Sequence, residues 1–577
     1  MGNIAVIIRT EKLLLLFFLI ATSIFGQSKS QKIDELVQLY HDYKLFNGAV
    51  LVADADNIVI AKGYGYADLE WDIPVDTGTK FRLGSVTKQF TSMVILQLVK
   101  EGKLKVTDKL SDVLPYYRKD TGSKITIENL LVHTSGIPSY TSSSKFFNED
   151  ALKHWQVKDF IMQLCMGDLE FEPGSMWVYN NSGYAILGAV IEQIEKKSYA
   201  EAVKERIFIP LGMNDSGYDT NQEVIKKRAR GYFKSFNGDA NSIYVDMSTP
   251  YSAGALYSTV TDLFKWDRAL YGNSLLSDEL MKKYFTPVTS NYAYGWVVSP
   301  IKLSDDLEIN TTSHGGGING FSSYILRDVD DKNLVVLLSN YEGTELFSIS
   351  NDILKILYDL PTKQPKRPIS QFLFEYSAKN EGSNLVEVYN SLMEDEGEAF
   401  SISEPAMNTL GYTFLRNGQT RDAMSIFTIN VTKFPNSSNV YDSRGEAYLA
   451  LGDTANAIED YKKSVELNPE NQNGRSVLQS LGIKTENEIK VDKEILKMYS
   501  GEYEVTPQFK IKIRVAEDKI YAQATGQPEF EMFPVNNTKF FLKIVNAQIE
   551  FDVDKNEVVQ GLTIYQNGAT INAKKIK

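Results

Sequence analysis

Leu83-Gly84-Ser85-Val86-Thr87-Lys88-Gln89-Phe90 places a lysine three residues after a serine, at the head of an apolar segment. Phe90, Val94, Leu96 and Leu98 recur at helical spacing after it. Residues three apart on a helix share a side, so Lys88 sits one turn above Ser85. A serine hydroxyl needs a base before it attacks anything. A desolvated lysine amine supplies one. A serine at a helix N-terminus also meets backbone N–H groups and the positive end of the helix dipole, which favour a developing oxyanion. The Ser-x-x-Lys spacing recurs at Ser142/Lys145 and Ser299/Lys302. The first lies in a serine-rich loop and the second contains Pro300, so neither predicts both groups on a helix.

Two later stretches extend the pattern. Glu172-Pro173-Gly174 turns the chain into Tyr179-Asn180-Asn181, with a helix expected from near Ser182. Tyr179 reads as a proton shuttle or a packed tyrosine, and Asn181 as a hydrogen-bonding group or a helix cap. Ser313-His314-Gly315-Gly316-Gly317 leads into Phe321, the start of an apolar strand. Glycines at the start of a strand permit close approach of a ligand to the backbone.

Working outward, 31–44 has helical spacing, and Gly48–Ala53 with Ile58–Gly65 reads as a hairpin. Phe321–Arg327 and Leu334–Ser339 read as a second hairpin, followed by a helix over 344–358. The middle is helical. This predicts an α+β domain whose sheet draws on both ends of the segment, with an inserted helical lobe and a site at the seam.

Ser-x-x-Lys, Tyr-x-Asn and His-x-Gly, in this order, resemble the serine β-lactamase and penicillin-binding-protein superfamily, in its branch of β-lactamase-related esterases and peptidases. Leu130-Leu131-Val132-His133-Thr134-Ser135-Gly136 and Ser252-Ala253-Gly254-Ala255-Leu256 are similar to segments of the same branch. The resemblance covers about residues 30–358. It implies a β-lactamase-like sheet with a helical lobe, acylation of Ser85, and a base role shared by Lys88 and Tyr179. It also implies an oxyanion hole from the N–H groups of Ser85 and Gly317. Asn181, His314, Gly316 and Gly317 would bind substrate, with His314 in the place of the family's third-motif lysine. That lysine helps hold a substrate carboxylate in β-lactamases, so the histidine points towards esterase or D-amino-acid peptidase chemistry. His133 reads as structural. A true β-lactamase or D-Ala-D-Ala carboxypeptidase is the alternative, and a catalytically silent binding protein a third reading. No metal or organic cofactor is implied.

Pro361, Pro365 and Pro368 mark a linker over 361–369. Beyond it Gly411, Gly418, Ala423, Phe427 and Pro435 recur as Gly445, Gly452, Ala457, Tyr461 and Pro469. Each pair is about 34 residues apart, the tetratricopeptide period. Two such units do not bury a core alone, so within a repeat region over 370–485 either 370–405 adds a degenerate helical pair or the repeats dock on a neighbour. The repeats serve either as a spacer or as a surface for a protein partner. Residues 494–577 alternate apolar and polar positions in short runs such as Lys510–Val515, Lys539–Ile544 and Ala547–Val553. Gly526-Gln527-Pro528 and Asn536-Asn537 are turn signals between them. They predict a small antiparallel, lipocalin-like barrel.

At the other end, Arg9 and Lys12 precede the apolar run Leu13–Phe25. The run is short for a bilayer span and reads as a signal peptide over 1–26, cleaved on export to the periplasm or beyond. The hydrolase domain then occupies 27–360. The chain has 577 residues and a formal net charge of −13, which disfavours a nucleic-acid partner. One cysteine, Cys165, excludes an intramolecular disulfide, and it lies in an apolar stretch. Four scattered histidines lack metal-ligand spacing. The expected substrate is therefore a small molecule or a peptide.

Overall fold

The computed structural model describes residues 27–483, 491–506, 509–516, 518–525, 529–542, 547–554, 558–566 and 569–576. The expected signal peptide and the Gly526-Gln527-Pro528 turn lie outside them. Two compact units divide between Lys366 and Arg367.

The first unit is α+β. Helix α1 (Lys29–Asp42) leads into strands β1 (Gly48–Asp54) and β2 (Asn57–Tyr64). Helix α2 (Thr87–Lys100) and helix α3 (Asn181–Glu195) belong to the helical middle. Strands β3 (Val297–Lys302), β4 (Glu308–Ile318), β5 (Phe321–Asp328) and β6 (Leu334–Ser339) follow, then helix α4 (Leu346–Leu357). The sheet order is β3-β4-β5-β6-β1-β2, antiparallel throughout. β1 pairs with β6, Gly48 opposite Ser339, so the two hairpins join as the sequence predicts.

β1 and β6 are apolar at nearly every position because both faces of the sheet are covered. Ala49, Leu51, Val336 and Leu338 face the large core of the helical lobe. Val50, Val52, Val335 and Leu337 face α1 and α4. Successive strand residues point to opposite faces, and a strand covered on both reads as a continuous apolar run.

Two local expectations change. Ser85 lies in a 3-10 turn, Gly84–Val86, and α2 begins only at Thr87. The glycines after His314 lie inside β4 rather than at the start of a strand, and β4 turns at Asn319-Gly320 into β5.

The second unit begins with helices Ile369–Lys379 and Leu385–Glu396, a helical pair before the repeats, the first of the two alternatives read from the sequence. The repeat helices are Glu404–Arg416, Thr420–Lys433, Ser438–Ala450 and Thr454–Leu467, with Gln472–Ser480 after them. The sequence repeat is also a packing repeat. A Cβ on Gly411 would overlap the Phe427 ring, and one on Gly445 would come within 3.0 Å of Tyr461. Small residues at these positions let paired helices approach. Eight strands from Gly501 to Lys575 then form a closed antiparallel barrel, sealed where Tyr503 pairs with Lys575. Its interior is filled. Tyr499, from the preceding helix Lys493–Tyr499, stacks on Phe551 with ring centroids 4.0 Å apart.

Candidate active site

The turn that carries Ser85 is pressed between α2 and β4. Gly84 has φ of 51°, a conformation that favours glycine. A Cβ there would come within 2.8 Å of the Gly317 carbonyl oxygen. A Cβ on Gly316 would overlap the Leu83 carbonyl oxygen and stand 3.0 Å from the Ser85 nitrogen. The glycine run thus lets strand backbone lie against the serine turn.

Lys88 is fully buried. Its Nζ donates to Asn181 Oδ1 and to the Ala253 carbonyl, each at 2.9 Å, and lies 3.0 Å from Ser85 Oγ. It also stands 4.9 Å from the centre of the Tyr179 ring. Burial holds the amine well below the usual lysine range. Asn181 is fixed from both ends, because its Nδ2 donates to Thr141 Oγ1 at 3.0 Å. It opens α3, whose N-cap Asn180 accepts from the Gly183 N–H. Tyr179 immediately precedes this cap, its ring beneath the Lys88 amine. Burial pushes the Tyr179 phenol up, and the nearby Ser85 hydroxyl pulls it partly back.

The structure therefore brings Ser85, Lys88, Tyr179 and Asn181 together. Ser85, Asn181 and Gly317 line a cavity of about 340 Å³. His314 and Gly316 are not among its lining residues. His314 is buried, its Nε2 is 3.0 Å from the Tyr292 hydroxyl, and its Nδ1 is 2.6 Å from the Gly315 carbonyl. A carbonyl only accepts, so Nδ1 carries the proton and Nε2 accepts from Tyr292. Burial, with Lys88 nearby, lowers its pKa to about 4. His314 is thus a neutral ring behind Tyr179 rather than a cation facing substrate.

His133 has φ of 61° and its Nδ1 accepts from the Asn180 N–H at 3.0 Å. Its ring packs against Tyr179 at 4.4 Å and Tyr292 at 4.7 Å. Sequence reasoning missed Tyr292, which anchors His314, and Gly295, where a Cβ would come within 2.8 Å of the Lys88 carbonyl. Both act across long sequence distances. The only local signal was Tyr292-Ala293-Tyr294-Gly295-Trp296, a dense aromatic run.

Residues 30–358 match the family described as Beta-lactamase. The chain belongs to the Beta-lactamase family. Penicillin-binding protein 4* of Bacillus subtilis (strain 168) is 32% identical over 371 residues, 59% of this chain and 79% of the relative. Teichoic acid D-alanine hydrolase of Staphylococcus aureus (strain NCTC 8325 / PS 47) is 30% identical over 340 residues, 57% and 78% of the two chains. The structure of a D-amino acid amidase from Ochrobactrum anthropi SV3 superposes with a TM-score of 0.50 at 22% identity, over 57% of this chain and 99% of that one. This Beta-lactamase-family chain is a serine hydrolase by its fold and relatives. Residues 443–471 match a tetratricopeptide repeat, and 485–576 match a domain of unknown function (DUF3471). No helix among the described residues is long and apolar enough to cross a membrane.

Proposed function

We propose that this chain is an exported hydrolase that cleaves an ester or amide through an acyl-enzyme on Ser85. The observation that carries this is the set of partners around Lys88 Nζ. Two are carbonyl oxygens, which only accept. A neutral amine that donates to both keeps one lone pair, free to accept from the Ser85 hydroxyl 3.0 Å away. Burial favours that neutral form.

Ser85 gives its proton to Lys88 as its oxygen attacks the carbonyl carbon. The N–H groups of Ser85 and Gly317 receive the oxyanion. Tyr179 stays a phenol at neutral pH and hands its proton to the leaving group as it takes one from the Lys88 ammonium. Water then repeats the attack on the acyl-enzyme, with Lys88 again as base. Asn181 orients Lys88, while His314 and Gly316 support the site from behind. No step calls for a metal or a cofactor.

One relative is named for hydrolysing D-alanine of teichoic acid, which supports D-amino-acyl esters or amides as one substrate class. The basic-then-apolar N-terminus supports export. In this reading 1–26 is removed, 27–360 is the hydrolase, 361–369 the linker, 370–485 the repeats and 494–577 the barrel. The repeats offer a surface for a protein partner. Intact mass after a fluorophosphonate probe tests the reading: one adduct on the wild type and none on Ser85→Ala is expected. No adduct on either, together with no ester hydrolysis, refutes it.

A further inference from the structure

The cavity at Ser85 is walled by Tyr140, Phe146, Phe147, Val245, Pro250 and Ile318. No lysine, arginine, histidine or carboxylate side chain is among its lining residues. Three of the polar side chains that reach it are already engaged. Asn181 is held by Lys88 and Thr141. Thr249 Oγ1 donates to the Asp246 carbonyl at 2.8 Å, and Asn319 Nδ2 donates to the Ile243 carbonyl at 2.9 Å.

Nearby cations are also committed or exposed. Lys88 spends both N–H groups of its neutral form on carbonyls. Arg82 pairs with buried Asp219 at 2.6 Å. Lys145, two residues before Phe147, is exposed to solvent. His314 is turned to Tyr292 and Gly315. Two charged groups stand next in the chain to wall residues: Lys145 before Phe146, exposed to solvent, and Asp246 after Val245, which bonds His154, Tyr244 and Ser248.

A carboxylate moved from water into such a pocket loses hydration and finds no counter-charge, whereas an apolar group gains from the same walls. We propose that this site rejects esters and amides with a free carboxylate flanking the scissile bond and prefers their uncharged counterparts. The inference rests on Ser85 being the nucleophile.

Matched substrates test it on the full-length wild type at pH 7, with Ser85→Ala as blank. The first pair is mono-p-nitrophenyl adipate and its methyl ester, which places the charge on the acyl side. The second is 4-carboxyphenyl acetate and its methyl ester, which places it on the leaving group. The neutral member of each pair should have kcat/KM higher by about tenfold or more, from the cost of an unpaired charge. The ratio should persist in high salt. Equal or faster turnover of the acid in either pair overturns the inference. So does a ratio that salt abolishes, because it would then come from the long-range field of an acidic chain. Absence of any Ser85-dependent turnover is a different failure, that of the hydrolase reading itself.

Discussion

Lys88 Nζ lies 3.0 Å from Ser85 Oγ, with the amine on α2 and the hydroxyl in the turn that precedes it. Three residues of tightly wound backbone fix this distance, and burial of the amine makes it useful. An exposed lysine at the same distance would be an ammonium, unable to accept the serine proton.

Replacing Lys88 with Met should lower kcat/KM by about 10²–10⁴, the usual worth of a positioned base. The wild-type pH profile should have its acid limb well below the normal lysine value of 10.5, because burial depresses this amine. Activity falls as pH drops through that depressed pKa and Lys88 becomes charged, and it is level above. An acid limb at the ordinary lysine pKa would show that burial does not depress this amine, and an acid limb that persists in Lys88→Met would show that another group is the base. Steady-state rates on a neutral ester across pH measure both.

Gly316 and Gly317 are adjacent but should respond differently to a methyl group. In Gly316→Ala the new carbon collides with the Leu83 backbone, so the serine turn or the strand must move. The variant should lose most activity and about 1–3 kcal/mol of stability, as overpacking does. In Gly317→Ala no heavy atom lies within 4 Å of the new carbon, so stability should hold. Denaturant unfolding and ester hydrolysis, measured together, separate the two.

Stability should fall between pH 6.5 and about 4 partly through His314. Its folded pKa is lowered from 6.5 to about 4, so the unfolded chain binds a proton that the folded chain refuses across this window. The stability is complete above 6.5 and is lost as pH falls towards 4. The full difference is on the order of 3 kcal/mol. His314→Gln removes this titration, so its unfolding midpoint should depend less on pH over that window than the wild type's.

Cys165 should be inert in the native protein. It is buried and burial pushes its thiol up to about 12. A thiol reagent should label it only at the rate of unfolding. Rapid labelling under native conditions would contradict its packing.

The elements legible in sequence are those with a strong local pattern. β1 and β6 are dense apolar runs, and the repeats announce themselves through glycines that face aromatic rings. β3 and β4 were not legible. β3 contains Pro300, tolerated because it is an edge strand. β4 runs through Asn310, Thr311, Thr312, Ser313 and three glycines, with little apolar alternation. Its place is set by pairing with β5 and by the serine turn lying against it. In the site, Ser85 with Lys88 was legible from Ser-x-x-Lys spacing at the head of an apolar helix, together with the two later motifs. The orientation of His314 was not, because it depends on Tyr292 and on a carbonyl of its own strand, which no spacing rule reaches.

The pairing of β1 with β6 also sets an order of events. β1 and β2 are made early in synthesis, yet β1 has one edge that only β6 covers. Until the chain has grown to Ser339, that apolar edge is open to any other strand. The nucleophile is therefore translated long before the sheet beside it closes. Fragments that stop short of β6 should stick to one another or be degraded, and a helper that keeps the nascent segment apart would be needed more here than in a chain whose neighbouring strands follow in sequence.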